Sequence, residues 1–230
     1  MKTFFLTTDF LKKGVSFFIF LFIPFLINAQ PDIIWQNSWG GTLDDQAQSS
    51  QLTQDGGIIL AGFTESNDGN VTGNHGAKDF WVVKVDSNGT LEWQRAYGGT
   101  EDDRANSIIQ ALDGGYIVAG RTASSDGDVS FNHGSRDFWV LKLDGAGNIV
   151  WEQTYGGSNN DDAQSIIQTS EGGYLVTGHT YSSNGDVGAN NGVQDYWMVK
   201  IDPTGVIQWE KNFGGSAIEY AWALKQTSDD

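Results

Sequence analysis

The sequence predicts an all-β protein built from a unit of 58 residues that repeats along the chain. Gly-Gly pairs recur at this interval from Gly40-Gly41 to Gly214-Gly215, and a fixed period of this kind is typical of repeat architectures. No segment of the unit has the apolar period of a helix, and its short apolar segments are bounded by Gly, Asn and Asp. Two columns of tryptophan keep the same interval: Trp35, Trp93, Trp151 and Trp209, and Trp81, Trp139 and Trp197.

Residues 1–29 have the features of a secretory signal peptide. Lysines precede an apolar run at residues 17–27, and the small residue Ala29 lies at the expected cleavage point. A membrane-spanning helix needs about 20 apolar residues, and this run is shorter. The sequence therefore predicts cleavage after Ala29, a secreted or cell-surface protein and no stable membrane insertion. The alternative is that the segment stays uncleaved as an anchor.

The charge and the cysteine content exclude several classes of partner and site. The chain has 29 acidic and 13 basic residues, for a net charge of −16. Nucleic acids and anionic lipids are bound through Lys and Arg, so this charge excludes them and leaves cations, neutral glycans and proteins. With no cysteine, the chain has no disulfide and no zinc–thiolate site.

Each unit is predicted to contain four antiparallel strands joined as a meander. Asp113-Gly114-Gly115 is predicted to form the tight turn of the first hairpin. The predicted strands of the second unit are residues 105–111, 115–122, 137–144 and 148–155. The repeat region, residues 30–230, divides into units at 42–99, 100–157 and 158–215 and a truncated unit at 216–230.

The four strands differ in a way that predicts how the units pack. The second and third strands are apolar on both faces, as expected of sheets covered on both sides by neighbouring sheets. The fourth strand alternates apolar and polar residues, whereas the first is small or polar and begins with Ala105 or its equivalent. A gradient from small inner strands to aromatic outer strands is typical of β-propeller blades, which are the predicted architecture. A linear stack of β-sheets is the alternative.

The array is predicted to be incomplete, with about three and a half units. Ile33, Trp35 and Trp39 are predicted to form a lone fourth strand, which in a closed ring completes the last blade. A propeller needs at least about four blades. We therefore expect this sequence to be a fragment, the N-terminal piece of a longer product.

Three segments of the third unit carry a resemblance to a known family. Residues 151–157 (WEQTYGG), 163–169 (AQSIIQT) and 171–178 (EGGYLVTG) are similar to repeats of secreted Bacteroidota proteins. These propeller-type repeats often precede a type IX secretion signal, and the resemblance covers residues 33–230. It implies a β-propeller fold and export. Relatives are sometimes labelled bulb-type lectin or endoglucanase-like, but the bulb-lectin motif Gln-x-Asp-x-Asn-x-Val-x-Tyr is absent from this sequence.

The loop between the second and third strands is long and acidic in every unit. Asp and Asn oxygens around a Gly turn can surround Ca²⁺, which needs about six to eight oxygens. The alternative interpretation is that these side chains bond the backbone in Asx turns. The candidate calcium ligands are Asp68 and Asp79, then Asp126, Asp128 and Asp137, and finally Asp186 and Asp195.

Two further charged columns repeat with the unit. An acidic column precedes the first strand. Its side chains are predicted to form hydrogen bonds in turns rather than to line a central channel. The members of that column are Asp45, Asp103, Asp161 and Glu219. A lysine in each third strand lies two residues before an aspartate, which predicts an ion pair on one face of the strand. These pairs are Lys84 with Asp86, Lys142 with Asp144 and Lys200 with Asp202.

The sequence favours binding over catalysis. An active site is usually assembled once, whereas the acidic residues recur in columns, and the histidines His75 and His133 share a column that ends in Asn191. The predicted function is therefore an exported, non-catalytic scaffold for binding or adhesion to a glycan or protein. The alternative is an accessory repeat region of a secreted hydrolase whose catalytic domain lies beyond residue 230. Predicted exposed binding candidates are the aromatics that break the repeat: Trp222, Phe131, Tyr181 and Phe63.

Overall fold

The computed structural model describes residues 32–227, and the predicted signal peptide lies outside them. Within this range every regular element is a strand. The strands are β1 (Asp45–Leu52), β2 (Ile58–Thr64), β3 (Asp79–Val85), β4 (Leu91–Tyr97), β5 (Asp103–Gln110), β6 (Tyr116–Thr122), β7 (Asp137–Leu143), β8 (Ile149–Tyr155), β9 (Asp161–Gln168), β10 (Tyr174–Thr180), β11 (Asp195–Ile201) and β12 (Ile207–Phe213). Each repeat unit forms one four-stranded antiparallel sheet in sequence order, which confirms the all-β prediction and the meander.

Turn chemistry fixes the ends of the strands. At the first hairpin of the second unit, Gly114 has a φ of 85°, a value that favours glycine. The Asp113 carboxylate accepts a hydrogen bond from the Gly115 amide at 3.0 Å, which closes the turn. At the hairpin between β3 and β4, the Asp86 carboxylate accepts hydrogen bonds from two backbone amides in the same way. The chain therefore reverses where the sequence places Asp and Gly.

The sheets pack face to face, and aromatic pairs lie at the centre of each interface. Phe80 of the first sheet contacts Trp139 of the second with ring centroids 4.6 Å apart. Phe138 of the second sheet contacts Trp197 of the third at the same distance. All residues of β3 and β7 are buried, as their apolar sequence on both faces predicts. Residues 32–227 thus form stacked four-stranded β-sheets.

The first two strands of each sheet approach closely through a glycine. Gly120 on β6 pairs with Ala105 on β5, next to a register shift between Ala105 and Ser107. A side chain at residue 120 would meet the backbone of β5 directly. The small residue and the bulge together allow the inner strands to twist towards one another.

Residues 32–44, which include the predicted lone strand at Ile33, Trp35 and Trp39, pair with no strand of the described residues. The indole of Trp35 instead donates a hydrogen bond to the Ser87 carbonyl at 3.2 Å, in the turn between β3 and β4. Trp151, on the fourth strand of the second sheet, makes the equivalent bond to Pro203 at 3.1 Å. The segment therefore makes the side-chain contacts of an outer strand without a neighbouring strand to pair with.

In the part of the chain that the structure describes, no helix is long and apolar enough to cross a membrane.

Candidate functional site in the clefts between sheets

The outer edges of neighbouring sheets are joined by a repeated tyrosine contact. The Tyr97 hydroxyl on β4 donates a hydrogen bond to the Gly147 carbonyl of the second sheet at 2.6 Å. The Tyr155 hydroxyl on β8 makes the equivalent bond to the Gly205 carbonyl of the third sheet at 2.6 Å. Each contact fixes a fourth strand against the turn between the third and fourth strands of the next sheet.

A cleft opens beside each of these contacts. The first cleft has a volume of about 570 Å³ and the second about 410 Å³. Their walls contain residues from equivalent positions of successive units, so the repeat builds the same cleft twice. Equivalent lining residues are His75 and His133, Arg95 and Gln153, Tyr97 and Tyr155, and Asp128 and Asp186. Phe131 lines only the second cleft, where the first has Gly73.

A buried aspartate orients the histidine of each cleft. His133 Nδ1 lies 2.6 Å from Asp137 Oδ2, and the His133 backbone amide donates to the same oxygen. In the first cleft, His75 Nδ1 lies 2.7 Å from Asp79 Oδ2. The same carboxylate oxygen also accepts from the histidine backbone amide in both clefts, so the buried aspartate fixes the orientation of each ring. This leaves the other ring nitrogen of His133 facing Asp186, at 3.4 Å across the cleft.

The candidate calcium ligands occupy three separate places. Asp68 and Asp126 each accept a hydrogen bond at 2.8 Å from a threonine amide beside the preceding Gly-Gly pair, and so hold the acidic loop against that turn. Asp128 and Asp186 line the clefts. Asp79, Asp137 and Asp195 are fully buried at the start of the third strands. Among residues 32–227, no three His or acidic side chains are grouped so that they could hold a metal ion.

Two members of the acidic column before the first strand, Asp103 and Asp161, are buried at the unit boundaries, whereas Asp45 and Glu219 are partly exposed. Asp161 accepts hydrogen bonds from the Thr180 hydroxyl, from the Ser182 hydroxyl at 2.9 Å and from the Gly157 amide at 2.8 Å. Asp103 makes the equivalent bonds one unit earlier. Full burial and these partners support the turn interpretation over a channel lining.

This burial predicts that the protein is less stable at neutral than at mildly acidic pH. Burial raises the pKa of Asp161 to about 6, and the nearby Asp137 carboxylate adds to the rise. The folded state therefore binds a proton that the unfolded state has released, and stability falls as pH rises from the ordinary pKa of 3.8 to about 6. Asp55, whose pKa is lowered, titrates below this window. We expect the free energy of unfolding, measured with urea, to fall by roughly 2 to 3 kcal/mol between pH 4 and pH 7.

The matched control is Asp161→Asn, which removes the titrating group and keeps one acceptor oxygen. It should flatten this pH dependence in proportion to the contribution of Asp161. A wild-type stability that rises over the same pH range contradicts the prediction.

The predicted lysine–aspartate pairs are wrong. Lys84 Nζ instead lies 2.9 Å from Asp55 and 2.8 Å from Glu92, on neighbouring strands and turns. Strand β3 ends at Val85, so Asp86 has left the strand and bonds the backbone of the turn. The same replacement occurs in the other units, where Lys142 pairs with Asp113 and Lys200 pairs with Glu171.

The non-repeating aromatics are only partly exposed. Phe131 is 58% exposed at the second cleft, and Trp222 is 70% exposed and stacks on Tyr220. Tyr181 is half-buried. Phe63 is buried, which contradicts the prediction, because Lys78 and Arg104 lie over its ring at 4.6 and 5.0 Å from the centroid.

Sequence reasoning missed the tyrosines that join the sheets and the part that the histidines play in the clefts. In the sequence, Tyr97 and Tyr155 are part of the alternation of apolar and polar residues in the fourth strand. Their signal was the pairing of a repeated Tyr with a repeated turn glycine, 50 residues further on. His75 and His133 form a shared column in the sequence, and each lines a cleft because it is held by the aspartate four residues later.

No family model matches the chain, and no curated protein matches it. A solved structure that is similar to part of it is a crystal structure of a protein of unknown function from Bacteroides caccae. The two share 15% sequence identity with a TM-score of 0.27, over 73% of this chain and 67% of the other.

Proposed function

We propose that this protein is an exported, non-catalytic scaffold that binds a neutral glycan in the clefts between its sheets. Under this proposal the sheets are blades of a β-propeller, and the chain belongs with the secreted repeat proteins of Bacteroidota that it resembles. The stacked sheets, their inner glycine approach and their aromatic outer strands support the proposed propeller.

The observation that carries the proposal is that the repeat builds the same cleft twice with groups suited to sugars. Sugars present hydroxyls, which need both donors and acceptors, and apolar C–H faces, which pack on aromatic rings. In the second cleft, Asp186 supplies an acceptor and the imidazole of His133 supplies a polar edge. The exposed ring of Phe131 lies against His133, with centroids 4.7 Å apart and planes at 82°. The net charge of −16 favours a neutral ligand over a polyanion.

The polar groups of the clefts support binding rather than hydrolysis. In the second cleft His133 lies between two carboxylates, Asp137 and Asp186, and not between a carboxylate and a nucleophilic hydroxyl. Asp186 also accepts a hydrogen bond from the Gly156 amide at 3.3 Å, so it helps to join neighbouring units. A retaining or inverting glycosidase instead needs a dedicated pair of carboxyl groups about 5 to 10 Å apart.

Titration with neutral oligosaccharides tests the proposal. We expect a panel of mannose, galactose and N-acetylglucosamine oligomers to include a ligand that isothermal titration calorimetry detects. For that ligand, Phe131→Ala and Asp186→Asn should each weaken binding by about tenfold, because each removes one good contact. The control is Leu112→Ala, which truncates an exposed side chain in the first hairpin turn of the second unit.

An affinity that both cleft variants leave unchanged contradicts the proposed site. A panel in which no member binds contradicts the proposed ligand class. Equal loss in Leu112→Ala would show that the effect comes from general destabilisation.

A further inference from the structure

Three of the four arginines of the chain lie side by side at one end of the second sheet. Arg104 on β5 pairs directly with Arg121 on β6. Arg136 is the residue immediately before β7. Phe138, the second residue of β7, pairs with Arg121. We call Arg104, Arg121 and Arg136 the arginine row.

The repeat does not require the arginine row. The same three positions hold Gln46, Phe63 and Lys78 in the first unit, and Asp162, His179 and Gln194 in the third. Like charges directly opposite one another on neighbouring strands are destabilising. The arginine row lowers stability, and the fold does not need it. Such an arrangement is expected where a function requires it.

The carboxylates near the arginine row do not balance its charge. Two aspartates face the three guanidinium groups, which leaves one positive charge in excess within a strongly acidic chain. Lys78, the nearest cation of the first unit, is already paired with Asp44 and Glu65. The ion pairs of the row are Arg104 Nε to Asp102 at 2.7 Å, Arg121 to Asp102 at 3.8 Å and to Asp162 at 3.6 Å, and Arg136 to Asp162 at 3.5 Å. Arg136 Nε also donates a hydrogen bond to Asn160 at 3.3 Å, and Arg104 lies over the ring of Phe63.

Arg121, in the middle of the row, has free donors. Its side chain is 19% exposed, and among the described residues its Nη groups donate no hydrogen bond. Its Nε atom is buried and faces Asp162 Oδ1 at 3.6 Å, so the Nη groups are the donors that a ligand could reach. The nearest carboxylate oxygens, at 3.6 and 3.8 Å, are beyond hydrogen-bond distance. A guanidinium carries five N–H donors in a planar fork that matches a carboxylate. Arg121 is therefore the group that an incoming carboxylate would engage.

Aromatic rings lie next to the arginine row. His179 lies 3.3 Å from Asp162 Oδ2, the oxygen that Arg136 also faces, and its ring centroid is 5.4 Å from that of Tyr220. Tyr181 lies 6.5 Å from His179, and Tyr220 is 53% exposed. A carboxylate-binding group beside exposed rings suits a ligand that combines an acid with an apolar ring face.

We propose that the arginine row binds the carboxylate of an acidic sugar, with the uronates as the ligand class. The site is distinct from the clefts between sheets and does not depend on the function proposed for them. The ligand is a single uronate residue, since the overall charge of the chain repels a long polyanion.

Calorimetric titration with D-galacturonate and D-galactose tests this proposal, because the two sugars differ at the carboxylate. We expect galacturonate to bind at least about tenfold more tightly, the difference that one charge-assisted bidentate contact provides. Arg121→Gln and Arg104→Gln should each weaken galacturonate binding by at least about tenfold. Lys211→Gln, which removes a positive charge from the outer strand β12, should leave it unchanged.

Two arms separate this site from other sources of binding. Phe131→Ala should leave galacturonate affinity unchanged, so failure of the cleft proposal and failure of this one are distinguishable. Acetate, which has the carboxylate without the ring, should bind at least about tenfold more weakly than galacturonate. Equal binding of galactose and galacturonate, equal binding of acetate, or equal loss in Lys211→Gln would overturn the proposal. The urea midpoints of both arginine variants show whether they remain folded.

Discussion

Replacing Gly120 with alanine is expected to destabilise the protein by about 3 kcal/mol or more, near the upper end for overpacking. An added methyl group would lie 2.7 Å from the Cα of Ala105 and closer still to the Arg104 carbonyl oxygen. Both obstacles are backbone atoms, so relief requires β5 and β6 to move apart and to lose ladder hydrogen bonds. Urea unfolding, followed by tryptophan fluorescence, measures the effect.

Gly145→Ala is the matched control for that change. The nearest atom to a methyl group at residue 145 is the Gly114 carbonyl oxygen, at 3.6 Å, which is ordinary van der Waals contact. We expect this surface substitution to change stability by less than about 0.5 kcal/mol. Equal effects of the two substitutions would show that the close approach of β5 and β6 does not require glycine at residue 120.

Truncation of Trp139 to alanine is expected to cost about 3 to 5 kcal/mol, the range for large aromatic side chains in cores. The indole is fully buried between the first two sheets and packs on Phe80. Its N–H donates a hydrogen bond to Glu152 Oε2 at 2.8 Å, so truncation also removes the donor of that oxygen, while Oε1 keeps its bonds from Ser130. The urea midpoint should fall, or the protein should fail to fold.

Two substitutions keep the Trp139 prediction testable if the alanine variant does not fold. Trp139→Phe retains most of the buried ring and should lose about half as much stability. Trp222→Ala removes an indole that is 70% exposed and should be near neutral. If the exposed and the buried tryptophan cost the same, the packing of the sheets is not what holds the second unit together.

Most of the secondary structure could be predicted because its signals are local. Strand β6 begins one residue later than predicted, at Tyr116, and β8 begins one residue later, at Ile149. The Asp and Gly residues that end these strands act within a few positions of the chain. The burial of β7 on both faces was likewise evident from its apolar sequence.

Predictions that needed contacts between strands or units were less successful. Lys84 was assigned to Asp86 by spacing, but its partners Asp55 and Glu92 come from other segments of the sheet. Phe63 was expected to be exposed, and it is covered by Arg104 of the next unit. The residue pattern within one unit does not show which side chain of the neighbouring unit will cover a residue such as Phe63.

The candidate site was predictable in its residues but not in its assembly. Phe131 was identified as a possible binding residue and Asp186 as a possible metal ligand. They meet because the loop of one unit lies beside the loop of the next, which positions His133 between them. The repeat period predicts that equivalent residues occupy equivalent places in successive units. The geometry of each cleft depends on how neighbouring sheets pack, which the period does not show.

All strand pairings of each sheet lie within a single 58-residue unit, and the tyrosine contacts reach only to the next unit. We expect a chain with this contact pattern to fold progressively as it is synthesised, because the first sheet needs no partner from the distant end. Contacts of short sequence separation also favour rapid folding. Each sheet closes only short loops, so each step of folding loses little chain entropy. Apolar strand edges are then exposed to aggregation for a shorter time.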